Sequence, residues 1–294
     1  MRQLTVMNFD EIFVDEREKG YPRLRQCQLV MLRMLKILDY LCNAYDVKYF
    51  LVGGTLLGSI RHKGFIPWDD DLDVGMTREN YEKFVKYCVP QLPRDIFFQT
   101  TETDPPFPVC HQVEAKLRDK YSSLYNPHNK EGYHDGIQLD IFVYDRSFLP
   151  HNFFIFLLNR TIKFLFKRNG NKKRANVLKW IESNSPFPLV YASSFISGRK
   201  MVRLGANYIR KEELDKLVKV QFEDMQAYIP GGWDNCLKRQ YSNYMQLPSE
   251  HQRKGHHSTH IGDPFNPCDH KEILQWKDRR ISDNREIKEA RNGI

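Results

Sequence analysis

Between Trp68 and Met76 the chain places four carboxylates in five positions, Asp69, Asp70, Asp71 and Asp73, and carries them straight into the apolar run Leu72-Asp73-Val74-Gly75-Met76. Alternation over that run predicts a β-strand, on which Asp71 and Asp73 point to one face with their side-chain roots roughly 7 Å apart. Like charges that close repel unless a cation neutralises them. The alternative is an exposed acidic turn, but the apolar strand that the acids enter favours a hard divalent ion, and an all-oxygen donor set suits Mg²⁺, with Mn²⁺ as a substitute. The chain around this acidic point is basic, with 45 Lys and Arg against 37 Asp and Glu. Its net charge of +8 predicts attraction to something anionic: nucleic acid, nucleotide, anionic lipid or acidic glycan.

Upstream, the β-prone run Tyr49-Phe50-Leu51-Val52 stops at Gly53-Gly54, and Thr55 is expected to cap a short helix ending at Arg61. Glycines there allow backbone N–H groups to approach a phosphate, with the positive end of the helix aimed at it. Gly53, Gly54 and Thr55 are therefore candidate substrate-binding residues. Downstream, Ile137, Leu139, Ile141 and Val143 alternate with Gln138, Asp140, Phe142 and Tyr144, so Asp140 is a lone acid facing away from the apolar side of a strand. Strand, Gly-Gly-Thr, short helix, acidic strand and lone acid together resemble the nucleotidyltransferase superfamily, in which three carboxylates on adjacent strands organise Mg²⁺ around a phosphate chain. Asp71, Asp73 and Asp140 are the candidate catalytic residues and metal ligands, with Asp140 either ligating or accepting the proton of an incoming hydroxyl. Arg61, His62 and Lys63 either neutralise phosphate oxygens or form a solvated basic turn. Lys116 and Arg118, two apart on a predicted strand, share a face and either reach one anion or lie on the surface. Trp68 offers an aromatic face to a quaternary ammonium or packs in the core.

The run Gly53-Gly54-Thr55-Leu56-Leu57-Gly58, continued through Phe65-Ile66-Pro67-Trp68 and the acids to Gly75-Met76, resembles the signature of the LicD family. Three further blocks follow in the family's order: Ala115-Lys116-Leu117-Arg118-Asp119, Ile137-Gln138-Leu139-Asp140-Ile141-Phe142, and Tyr244-Met245-Gln246-Leu247-Pro248 with His256-His257. That family comprises phosphocholine and related phosphoalcohol transferases acting on cell-surface glycans, with the fukutin-related ribitol-phosphate transferases as distant relatives. The resemblance implies a Mg²⁺-dependent enzyme that takes a CDP-alcohol donor, transfers its phosphoalcohol to a hydroxyl of a glycan or lipid-linked glycan (teichoic acid, lipopolysaccharide or capsule precursor) and releases CMP. The motif alone also admits a nucleotidyltransferase that releases pyrophosphate. A non-catalytic nucleotide- or glycan-binding module is the third reading, against which stands the retention of mutually repelling acids. The late block departs from the family: where Tyr-Gly-Asp-Tyr-Met is usual, this chain has Tyr241-Ser242-Asn243-Tyr244-Met245, and after Pro248 it has Ser249, His251 and Gln252 in place of acidic and basic positions. These changes leave the metal centre intact and point to a different acceptor.

The expected fold is α/β (α+β), a nucleotidyltransferase-like mixed sheet core with a mostly helical C-terminal part. Residues 1–145 form the core, preceded by a helix whose stripe is Cys27, Val30, Met31, Met34, Ile37, Leu38 and Leu41. Further strands are expected at 96–100 and 113–117, and Thr77 is placed to cap a helix ended by Pro90. Residues 146–258 form a helical portion completing the site, with segments at 153–167, 172–181, 192–202 and 212–228, and 259–294 form a charged tail. Six cysteines with no CxxC pair read as reduced thiols, and the start lacks an apolar signal region, so a cytoplasmic address is expected. No stretch is long and apolar enough to span a membrane. The basic, apolar segment 153–166 reads as a core helix, the lesser alternative being contact with the inner membrane face. His256, His257, His260 and His270 with Cys268 fit no standard zinc finger and read as a solvated or substrate-side cluster. No nucleic-acid partner is expected, and oligomeric state is not encoded in any feature of the sequence.

Overall fold

A computed structural model describes residues 9–107, 113–125, 132–147, 190–193, 208–255 and 261–274. The expected helices at 153–167 and 172–181, and His256, His257 and His260, lie outside these residues. A short helix α1 (Phe9–Ile12) leads to α2 (Arg23–Ala44), where the three- and four-residue stripe read from the sequence becomes a buried face that includes Met31, Leu35, Leu38 and Leu41. Each fully buried side chain of this kind contributes about 1.5–3 kcal/mol. After α2 the chain makes β1 (Phe50–Leu51), α3 (Gly53–Arg61), β2 (Asp73–Thr77), α4 (Arg78–Lys83), β3 (Ile96–Gln99), β4 (Val113–Asp119), β5 (Ser123–Tyr125) and β6 (Gln138–Ser147).

The main sheet runs β1-β2-β6-β4-β3, with β2 and β6 parallel and the other pairs antiparallel. Beyond the end of β4, the long β6 pairs instead with β7 (Val190–Ser193), which pairs in turn with β8 (Tyr208–Arg210). This is the mixed α/β architecture read from the sequence, and all five expected core strands are present. Its two faces differ sharply. Val74, Ile141, Leu139, Ala115 and Leu117 are buried in the same apolar core as α2. On the other face Asp73, Asp140, Lys116 and Gln99 stand in one row across β2, β6, β4 and β3. The period-2 pattern that puts Leu139 inside puts Asp140 outside.

Two helical expectations are corrected. The segment expected as a helix at 212–228 holds only the short helix Lys211–Leu214, then an antiparallel hairpin of β9 (Leu217–Phe222) and β10 (Met225–Pro230). Val218 and Val220 are β-branched and alternate with Lys219 and Gln221, and Glu223 at φ 56° makes the turn. The segment 192–202 opens as the end of β7, because Ala192 and Ser193 pair with Asp145 and Tyr144 on β6. A helix Trp233–Tyr241 packs against α3, and β11 (Ile261–Asp263) pairs with β5. Among the described residues no helix is long and apolar enough to cross a membrane.

The described members of the histidine and cysteine group are buried rather than solvated. His270 and Cys268 are 4% and 6% exposed, set against His134 and Asp104, with Cys268 Sγ 3.7 Å from His134 Nδ1 and His270 Nε2 3.4 Å from Asp104 Oδ1. Backbone N–H groups of Gly136 and Glu272 donate to Nδ1 of His134 and His270 at 3.1 and 3.2 Å. These contacts pack the segment around Cys268 and His270 onto the core.

Candidate active site

The acids gather where α3, the loop before β2 and the polar face of the sheet meet. Gln28 on α2 fixes the loop, its Nε2 donating to the carbonyl of Asp69 at 3.0 Å, and Asp69 N–H closes a turn onto Ile66 O at 2.9 Å. Carboxylate oxygens of Asp69, Asp70 and Asp71 lie within 4.8 Å of one another. Strand β2 begins at Asp73, so Asp71 sits in the loop ahead of it and the two do not share a strand face as expected. Asp73 instead pairs in register with Asp140 on β6, the backbones joined by Asp140 N–H to Leu72 O at 2.8 Å. Neighbouring strands lie about 4.8 Å apart, so the two side chains rise together from the same face.

Thr55 does not cap α3. The helix starts at Gly53, and the Thr55 hydroxyl accepts from Asp73 N–H at 2.9 Å, tying helix to strand. The two glycines make room for the acids themselves. A Cβ on Gly53, where φ is +58°, would lie 3.0 Å from Asp73 Oδ2, and one on Gly54 would lie 2.9 Å from Asp69 Oδ2. The start of α3 thus lies against the carboxylates, its free N–H groups and positive dipole end on their side.

The acids raise one another's proton affinity. Burial, then the neighbouring Asp71 and Asp70, push the Asp69 carboxyl up to about 8. Burial, then Asp71, Asp140 and Asp69, hold Asp73 well above the ordinary carboxylate range. Lys116 engages the row directly, its Nζ donating to both oxygens of Asp140 at 2.8 and 2.9 Å, both side chains 9% exposed. Carboxylates that would rather bind a proton than stay charged, with oxygen as their only donor atom, fit a hard divalent cation.

The other sequence candidates separate. Lys116 grips Asp140, while the buried Arg118 donates to Gln99 Oε1 and Gly136 O, both at 2.7 Å, so the pair does not converge on one anion. Half-buried Arg61 binds the carbonyl of Tyr244 at 2.9 Å, linking α3 to the segment after the helix Trp233–Tyr241. The exposed Lys63 takes a left-handed turn at φ 62°, and His62 meets the Trp68 ring edge-on at 6.1 Å. The cation over Trp68 in this structure is Arg253, 5.6 Å from the ring centre. Two residues not singled out before belong here. Asp69 stood in the quoted acidic run, whereas Tyr241, in electrostatic contact with Asp73, Asp69 and Asp71, is far from them in sequence.

Residues 46–149 match the family model described as LicD/FKTN/FKRP, nucleotidyltransferase domain. Over these residues the chain is similar to a LicD-family nucleotidyltransferase domain. That domain spans β1 to the end of β6, and so contains every acid of the cluster, Lys116 and Asp140. Likeness extends well past it to the lipopolysaccharide cholinephosphotransferase LicD of Haemophilus influenzae, 27% identical over 270 residues, covering 80% of this chain and 96% of that one. An uncharacterised protein of Rickettsia prowazekii is 38% identical over 77 residues, 26% of this chain and 29% of its own. The ribitol 5-phosphate transferase FKRP of Homo sapiens is 50% identical over 38 residues, 13% of this chain and 8% of its own.

Proposed function

We propose that this LicD-like chain is a Mg²⁺-dependent phosphotransferase that moves phosphocholine or a related phosphoalcohol from a CDP-alcohol to a hydroxyl of a cell-surface glycan and releases CMP. The observation that carries the reading is the group of close-set carboxylates Asp69, Asp70 and Asp71, with Asp73 in register with Asp140, inside the residues that match the family model. The near full-length likeness to a cholinephosphotransferase of lipopolysaccharide supports the same transfer and the same kind of acceptor. Asp71 and Asp73, with Asp69 and Asp140 beside them, would hold the cation, which when bound neutralises the diphosphate and stabilises the charge on its departing oxygen.

The remaining chemistry falls to the chain's own groups. The acceptor hydroxyl oxygen forms the new bond to the phosphorus bearing the alcohol, the bond from that phosphorus to the CMP oxygen breaks, and CMP leaves with its electron pair. Asp140, held by Lys116 through both its carboxylate oxygens, either completes the ligand set or takes the hydroxyl proton. The start of α3 and Arg61 contribute positive charge close to the acids.

The test is incubation of the protein and Mg²⁺ with CDP-choline, CDP-ribitol and CDP-glycerol in the presence of a lipopolysaccharide or teichoic-acid acceptor. CMP release with labelling of the acceptor is the expected result. Pyrophosphate release from a nucleoside triphosphate instead would establish a nucleotidyltransferase.

A further inference from the structure

The stretch from Tyr244 to Gly255 lies beyond residues 46–149 in sequence, yet it is tied to the acid cluster at both ends. At its start the Tyr244 carbonyl accepts from Arg61 on α3 at 2.9 Å. Near its end Arg253 donates through Nε to Pro248 O at 3.0 Å and lies over the ring of Trp68, the residue before Asp69. Between them the 3₁₀ turn Glu250–Gln252, closed by the Ser249 hydroxyl donating to Gln252 Oε1 at 2.6 Å, keeps the path short. The chain then passes Asp70 so closely that a Cβ on Gly255 would lie 2.6 Å from Asp70 Cγ and 2.8 Å from Oδ1.

The φ of Gly255 lies outside the left-handed region, so the backbone does not call for glycine here; space does. The obstacle is specific. At Gly58 and Gly136 a Cβ would be driven into the backbone carbonyls of Gly64 and Asp119, whereas at Gly255 the three nearest atoms of the described residues all belong to the Asp70 carboxylate. A carboxylate can swing to another rotamer where a backbone carbonyl cannot, so a side chain at 255 displaces Asp70 rather than the fold. The same relation holds on the α3 side of the cluster, where Gly53 faces Asp73 and Gly54 faces Asp69.

We propose that Gly255 is a positioning residue for the divalent cation. By carrying no side chain it lets the Asp70 carboxylate stay with those of Asp69 and Asp71, their oxygens within 4.8 Å of one another, as a further oxygen ligand. Groups that hold a metal ligand in place are worth about 10- to 100-fold in affinity. The inference rests on the reading of the acids as a Mg²⁺ site and adds to it a residue far along the chain.

Calorimetric titration of MgCl₂ into the full chain, beside thermal melts without the cation, tests it on wild type, Gly255→Ala, Asp70→Ala and the double variant. Gly255→Ala is expected to weaken Mg²⁺ binding about tenfold or more while the cation-free melting temperature stays close to wild type. Asp70→Ala should weaken binding at least as much, and adding Gly255→Ala to it should cost nothing further, since no carboxylate is left to displace. Wild-type affinity in Gly255→Ala overturns the proposal, as does an equal loss of affinity with and without the Asp70 carboxylate. A fall in the cation-free melting temperature that Asp70→Ala does not relieve overturns it too, because Gly255 would then hold the fold. A wild type that binds no Mg²⁺ overturns the cation reading itself, and this proposal with it.

Discussion

Asp73 on β2 and Asp140 on β6 stand opposite one another in the parallel register, and Lys116 on β4 donates to both oxygens of Asp140. The two acids are thereby made unlike: Asp140 holds the ion pair, whereas burial and the neighbouring acids keep Asp73 well above the ordinary carboxylate range. Asp73→Asn is expected to lower turnover by at least about 10²-fold. It should also leave the cation-free melting temperature equal to or above wild type, because it removes a carboxylate that burial disfavours. Thermal melts beside CMP-release assays check both; a marked drop in stability would show that Asp73 holds the fold rather than the cation.

The acid cluster should respond to pH and divalent ions together. Burial and the neighbouring acids push the Asp69 carboxyl up from the ordinary 3.8 to about 8. The folded chain therefore binds more protons than the unfolded one across that interval, and without a cation stability falls as pH rises from about 4 to about 8. A bound cation replaces those protons, so Mg²⁺ should raise the melting temperature more at pH 8.5 than at pH 6. Scanning calorimetry with and without Mg²⁺ at the two pH values measures this, and a larger shift at pH 6 would contradict the assignment.

Most of the catalytic half was legible because its signals are local. The period-2 alternation around Asp140 and the stripe on α2 each state their own geometry within a few residues, whereas the acidic run announced its chemistry but not that the strand starts only at Asp73. What escaped depends on distant partners. Arg118 looks like an anion ligand until Gln99 and the carbonyl of Gly136 are placed beside it. Thr55 reads as a cap until Asp73 N–H arrives at its hydroxyl. The hairpin over 217–230 was hidden by the Glu212-Glu213-Leu214 start, a helical signal that the β-branched Val218 and Val220 override three residues later. Tyr241 stood in a family-like block, but nothing local in that block ties it to acids far upstream.

Lys116 and Asp140 should behave as one unit. Removing either partner breaks an ion pair whose two side chains are each 9% exposed, so Lys116→Met and Asp140→Asn are each expected to cost about 3 kcal/mol or more. The double variant leaves neither charge behind and should recover most of that loss, giving a coupling of about 2 kcal/mol or more in a double-mutant cycle. Urea unfolding of the four proteins measures it. Additive losses would mean that the two groups are stabilised by other neighbours.

Ser242 is the position at which this chain departs from the glycine usual in the family block, and the structure shows the consequence. The residue ends the helix Trp233–Tyr241 at φ 55° and ψ −108°, its N–H bonded to Lys238 O at 3.0 Å. That backbone region is open to glycine and strained for a residue with a Cβ. Ser242→Gly relieves the strain and loosens the unfolded chain, two effects of opposite sign. Because the left-handed conformation is fixed by the Lys238 bond below it and the Arg61 bond to Tyr244 above it, relief should prevail and stability should rise by about 1 kcal/mol. Turnover should stay within about twofold of wild type, since the same two bonds still set the turn. Urea melts and CMP-release assays of Ser242→Gly against wild type decide it. A fall in stability would show that unfolded-chain entropy outweighs strain here, and a stable variant with turnover down tenfold would show that strain at Ser242 is what presses Tyr241 toward the acids.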